Sequence, residues 1–114
     1  MSINIDSIDS SMRAIERSTQ SHAHNLANIM TDNYKAERVT PIDEANGGVG
    51  VNVSKDTTPG VPLPEESGES GEMSNVDIVE EMVGLIADEA ALKVNVDAAG
   101  MVNKSIGSVL DIVI

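Results

Sequence analysis

Apolar residues recur at alternating steps of four and three near each end of this chain, and that repeat limits the folds open to it. In the first stretch Ile8, Met12, Ile15, Thr19, His22, Leu26 and Ile29 make three heptads of apolar or neutral side chains. In the second, Ile78, Met82, Leu85, Glu89, Leu92, Val96, Ala99, Asn103, Ile106, Leu110 and Val113 keep the same step without a slip. A 3.5-residue period is the seam of a helix that lies along another helix. The spacing predicts one helix from about residue 7 to 30, with Asp6 or Ser7 as N-cap, and another from about 74 to the C-terminus. Ser74, with Asp77 three residues on, is expected to cap the second start, and Asp77, Glu80 and Glu81 put negative charge at the positive end of that helix dipole. The second helix would be about 57 Å long. Gly84, Gly100 and Gly107 each cost it about 1 kcal/mol against Ala, so it depends on packing.

Neither seam can hide its stripe alone. The expected fold is therefore mainly α, an antiparallel coiled-coil-like hairpin of the N- and C-terminal helices, with a short β-hairpin or loop and an acidic linker between them. Four segments follow: residues 1–36 as the first helix and its turn, 37–60 as a short β insert, 61–73 as linker, and 74–114 as the C-terminal helix. The insert is read from Val49, Val51 and Val53 alternating with small and polar residues behind the turn Asn46-Gly47-Gly48. The stretch 57–73 holds three of the four prolines (Pro59, Pro62 and Pro64) and Glu65, Glu66, Glu69 and Glu72, which predicts a mobile, self-repelling linker. Because the first seam is shorter, the apolar end of the second (Ile106, Leu110, Ile112, Val113, Ile114) is expected to overhang and to meet another subunit. Glu89 and Asn103 interrupt the seam, either to fix a register or because they face solvent.

Composition narrows the function classes. There is no Cys, Trp or Phe and a single Tyr, which removes disulfides, thiolate chemistry, Cys-ligated metals and aromatic platforms for bases or sugars. Nineteen acids against seven Lys and Arg give a formal charge of −12, repulsive toward nucleic acid and anionic lipid. The partners expected are proteins. Leu, Ile and Val supply 29 of the 114 residues, enough for folding. Residues 1–6 carry neither a basic nor an apolar signal region, and no apolar run is long enough for a membrane span.

No catalytic constellation stands out, so neither an enzyme nor a cofactor is expected. His22 and His24, two apart, point to different faces of a helix and read as a seam filler and a surface residue. The seven acids from Glu65 to Glu81 lack a calcium-loop pattern, and Gly47-Gly48-Val49-Gly50 lacks the Lys and helix of a phosphate loop. No nucleophile elbow or Ser-x-x-Lys motif accompanies the serines.

Both ends of the chain carry a resemblance. Ala23-His24-Asn25-Leu26-Ala27-Asn28, then Thr31-Asp32-Asn33-Tyr34-Lys35-Ala36, resembles the Asn-Leu-Ala-Asn…Thr-x-Gly-Tyr-Lys-Ala signature of bacterial flagellar axial proteins. Ser74-Asn75-Val76-Asp77-Ile78-Val79-Glu80-Glu81-Met82-Val83 is similar to the start of the C-terminal helix of the proximal-rod proteins, and Ser108-Val109-Leu110-Asp111-Ile112-Val113 to their closing residues. The resemblance covers both ends and not the middle. It implies a structural subunit of the flagellar basal-body rod, exported by the flagellar type III apparatus without a cleaved signal. In the periplasm it would polymerise with its own copies and other axial proteins, neither inserting in the membrane nor binding nucleic acid.

By that reading the assembly and packing residues are Ile8, Met12, Ile15, Asn25, Leu26, Asn28, Tyr34, Ile78, Met82, Leu85, Leu92, Val96, Ile106, Leu110 and Val113. Asn25 and Asn28 would satisfy orphan carbonyls of the first helix or bond the next loop. Asn33 stands where the family has Gly, as the residue next most tolerant of a left-handed turn. The chain departs from the family at Asp88-Glu89-Ala90-Ala91-Leu92, where an Arg and an aromatic are usual. A second class of function fits the acidity and the size: a free-standing helical-hairpin adaptor or secretion chaperone that grips one partner helix.

Overall fold

The computed structural model describes residues 5–113. It contains two long helices, α1 (Ile5–Ala27) and α2 (Ile78–Val113), and an antiparallel pair of strands, β1 (Glu37–Asp43) and β2 (Val49–Lys55). The molecule is mainly α and elongated, 77 × 26 × 15 Å.

α1 already includes Asp6 in its first turn, so Asp6 and Ser7 lie within the helix and do not cap it. It ends at Ala27, short of residue 30, because the next turn belongs to Asn28. The Asn28 side chain donates to the His24 carbonyl at 2.9 Å and accepts from the Thr31 hydroxyl at 3.0 Å. Asn33 then turns the chain with φ 61°, a left-handed conformation that only Gly adopts more readily.

The strands pair from Glu37↔Lys55 to Asp43↔Val49, and the loop between them closes through Glu44 N–H to Gly48 O at 2.9 Å and Gly47 N–H to Glu44 O at 3.0 Å. This hairpin packs along α1: the Ser10 hydroxyl accepts from Val49 N–H at 3.1 Å, and Arg17 and Ser21 reach Glu37 near the other end.

The acidic linker is not a loose tether. Leu63 N–H bonds Gly71 O and Met73 N–H bonds Val61 O, so residues 61–73 double back as a narrow loop with a 3-10 turn, Glu65–Ser67, near its tip. Glu72 fastens this loop to the exit of α1 through the Lys35 ammonium and both backbone bonds to Asn33. Composition signalled solvation and charge repulsion there. It did not signal that Gly68 and Gly71, at φ 72° and 142°, let the backbone reverse and pair with itself.

α2 begins with Asp77 as N-cap, its carboxylate accepting from Val79 N–H at 2.9 Å and Glu80 N–H at 3.2 Å. Ser74 is not the cap; its hydroxyl accepts from Val76 N–H in the preceding turn. The helices run in opposite directions along their contact, with His22 beside Glu81, Thr19 beside Asp88, and Met12 and Ile15 sharing a groove with Leu92.

The seam of α2 is displaced from the expected one. Residues turned inward are Glu81, Gly84, Asp88, Ala91, Asn95, Ala98 and Val102, one position away from the apolar series. Ile78, Met82, Leu92, Val96, Ile106 and Leu110 are instead 40–52% exposed, and of that series Leu85 and Ala99 are half-buried. The reason is that α2 is apolar nearly all round, so hydrophobic periodicity leaves its rotation free, and bonds from Glu81 choose it. The Val113 side chain lies outside the described residues.

Candidate functional site

Among the described residues the buried apolar side chains are Ile8 and Ala36, whereas the buried polar ones are Ser21, Asn25 and Glu81. The centre of the molecule is therefore a hydrogen-bonded joint, and its residues come from α1, β1, α2 and the segments that connect them.

Asn25, fully buried, clamps the chain that leaves α1. Its Nδ2 donates to Glu37 O at 3.0 Å, and its Oδ1 accepts from Glu37 N–H at 2.8 Å and from the Tyr34 hydroxyl at 2.9 Å. A side-chain amide can pair with a backbone amide in both directions at once, through separate donor and acceptor atoms, which a carboxylate cannot do. Tyr34 also meets the ring of His24 edge-on, centroids 5.7 Å apart. Burial, then the carboxylates of Glu37 and Glu81, push the Tyr34 hydroxyl above its ordinary pKa, so it stays a donor.

Glu81 is the second centre, its side chain fully buried on α2. His22 Nδ1 donates to its Oε2 at 2.6 Å, and Arg38 Nη1 donates to its Oε1 at 2.9 Å. Burial alone would raise the pKa of Glu81. Hydrogen bonds from His22, Asn25 and Arg38 outweigh it, and the net direction is down, so the carboxylate is ionised. An ionised acid only accepts, so Nδ1 of His22 carries a proton. His22 Nε2 faces Asp88 at 3.8 Å, and its ring lies over Gly84, where a Cβ would overlap it. Arg38 also spans Asp56 at 3.1 Å and Glu80 at 3.3 Å, tying β1 to both the end of β2 and the start of α2. Glu37 is held below its ordinary pKa chiefly by the Ser21 hydroxyl at 2.8 Å, which outweighs its burial, with Arg17 adding to the effect.

Asn75 closes the assembly. Its Oδ1 accepts from Ala36 N–H at 2.7 Å, and its Nδ2 donates to Asp56 O and Thr58 O. Every buried side-chain polar atom among the described residues has a partner. Charge-assisted bonds of this kind fix direction and register, which is the work this joint can do.

Of the residues marked from sequence, Asn25, Asn28 and Tyr34 gather at the exit of α1, and Ile8, Met12, Ile15, Leu26 and Leu85 line the helix contact or its edge. Ile78, Met82, Val96, Ile106 and Leu110 are apart from the joint, on the outside of α2, while Leu92, although 40% exposed, lines the groove against α1. His22 does fill the seam, its ring over Gly84, and it is also the partner of Glu81, which the sequence did not show. Sequence reasoning missed Glu81, Arg38 and Asn75 as structural centres. The one signal available was that a lone His on an apolar seam needs a hydrogen-bond partner, and an acid at the start of the opposing helix supplies it.

No protein-family model matches this chain, and no curated protein matches it. Among the described residues no helix is long and apolar enough to cross a membrane.

Proposed function

We propose that this chain is a structural subunit of a helical assembly of the flagellar axial type, a component of the basal-body rod. In this reading the α1–α2 pair is a coiled-coil-like hairpin whose copies pack side by side into a hollow shaft that transmits torque and surrounds an export channel. The chain is not an enzyme in this reading. It is exported without a cleaved signal and works in the periplasm.

The observation that carries the proposal is the inversion of α2. A helix of 36 residues turns Glu81, Gly84, Asp88 and small side chains to its partner and shows solvent an aliphatic flank from Ile78 to Leu110. A lone molecule gains little from that arrangement, since apolar area left in water contributes none of the roughly 25 cal/mol per Å² that burial supplies. Neighbouring copies would cover it. The Asn-Leu-Ala-Asn segment gives further support, because its two asparagines perform the helix-exit bonding expected of that signature.

The test is mass spectrometry of hook-basal bodies purified from the native bacterium, coupled to motility of a deletion strain. Detection in the rod fraction and loss of swimming are expected, with Leu110→Asp failing to restore swimming although the protein accumulates. A normally motile deletion strain overturns the assignment. Such a result, with the protein recovered on a single cytoplasmic partner, favours the acidic adaptor or secretion chaperone, to which the run of acids without a base from residue 56 to 89 also lends itself.

A further inference from the structure

Between the helices one valley stays open. On the flank where Met12, Ile15, Thr19 and Gln20 of α1 approach Leu92 of α2, a groove of about 460 Å³ runs along the pair, with Glu16 as the one charged residue on its wall. We propose that this groove receives residues 103–113 of a second copy, the far end of that copy's α2, so that copies join head to tail.

The first argument is length. The pairs His22–Gly84 and Thr19–Asp88 set the alignment of the helices. At equal rise Ile5, the first described residue of α1, lies level with about residue 102 of α2. Beyond that level Ile106, Val109 and Leu110 stand more than half exposed, at helical spacing and with no described part of their own chain beside them.

The second argument is charge. Residues 56–89 hold ten acids and no base, whereas residues 90–114 hold Lys93 and Lys104 against Asp97 and Asp111 and are neutral. For a molecule of net charge −12, a neutral end can come against another copy without strong like-charge repulsion. Lys104 on that end is opposite in sign to Glu16 on the groove wall.

Geometry then excludes self-insertion. The residue of α2 level with Gln20 is about 87, and Leu110 lies some 23 residues further along a continuous helix, roughly 35 Å away. A contact between Gln20 and Leu110 must therefore be between molecules. End and groove are different surfaces, so the contact is heterologous and links more than two copies, into a ring or a filament.

This inference rests on the reading that the chain self-associates, and the experiment separates the two. The native sequence has no Cys, so Gln20→Cys with Leu110→Cys introduces one defined pair. Oxidation of the assembled double variant is expected to give a ladder of disulfide-linked dimers, trimers and higher species, at least tenfold stronger than that of a control carrying Asp43→Cys, at the hairpin tip, with Leu110→Cys. Sedimentation of unsubstituted chain is run in parallel. Self-association without the ladder, or with equal ladders in both variants, overturns the groove contact and leaves the assembly reading standing. A chain that stays monomeric at several hundred micromolar overturns both.

Discussion

Gly84, Gly100 and Gly107 sit in one helix with one intrinsic cost, yet their surroundings separate them. A Cβ at Gly84 would overlap the His22 ring, and that ring cannot swing aside while Nδ1 is bonded to Glu81 and Nε2 faces Asp88. At Gly100 and Gly107 a Cβ meets nothing within 4 Å. Gly84→Ala is therefore expected to lower stability by about 1–3 kcal/mol through overpacking, and Gly100→Ala to raise it by about 0.5–1 kcal/mol through helix propensity. Thermal melts followed by circular dichroism check the pair, and equal effects would refute the close contact of His22 on α2. Removing the acid at the centre is costlier in kind. Glu81→Gln leaves Arg38 and the imidazole short of a charged acceptor in a buried place, with an expected loss of about 1–3 kcal/mol, moderated because Arg38 keeps Asp56 and Glu80. The matching change His22→Gln loosens the same joint, whereas His24→Gln, on an exposed position, costs no more than the edge-on contact with Tyr34, about 0.5–1 kcal/mol.

At the level of elements, titration of that joint decides whether α1 and α2 stay in register. Glu81 and Glu37 both have folded pKa values below the ordinary glutamate value, so each contributes stability that is complete above that value and lost as pH falls through the lowered one. Acidification below the carboxylate range is expected to release α2 from α1 and to lower the melting temperature, while Glu81→Gln flattens that acid limb. A wild-type melt that holds constant down to pH 3 would contradict it. Here the reach of sequence reasoning is visible in physical terms. Both helices and the β-hairpin were legible because period and turn chemistry are local, and the exit of α1 was legible because Asn28 bonds His24 four residues back, Asn33 sets its own left-handed turn and Asn25 reaches Glu37, 12 residues on. The rotation of α2 was not. An aliphatic helix offers many equivalent faces, and the choice among them is made by His22, Arg38 and Glu81, which are 43 to 59 residues apart along the chain for the bonds to Glu81. The order in residues 61–73 was hidden for the same reason, since Lys35 and Asn33 hold Glu72 from outside the segment.

For the whole molecule, association sets an aliphatic attraction along α2 against a charge of −12 spread over a body 77 Å long and 15 Å thin. Ten of the nineteen acids fall within residues 56–89, so repulsion is concentrated at the linker and the first turns of α2, away from the neutral distal end. Surface repulsion acts over about 30 Å at 0.01 M salt and about 8 Å at 0.15 M, whereas burial of Ile106 and Leu110 is not screened by salt and is strengthened by sulfate. Rising ionic strength should therefore promote self-association: the concentration at which half the chain sediments as polymer is expected to fall several-fold between 0.01 and 0.3 M sodium chloride. A protein that binds a cationic partner through those acids behaves in the opposite sense, since salt weakens such an attraction. Sedimentation velocity across the salt series reads the sign directly. Association that weakens with salt would place the acids in the contact and remove the apolar flank of α2 as the surface that drives assembly.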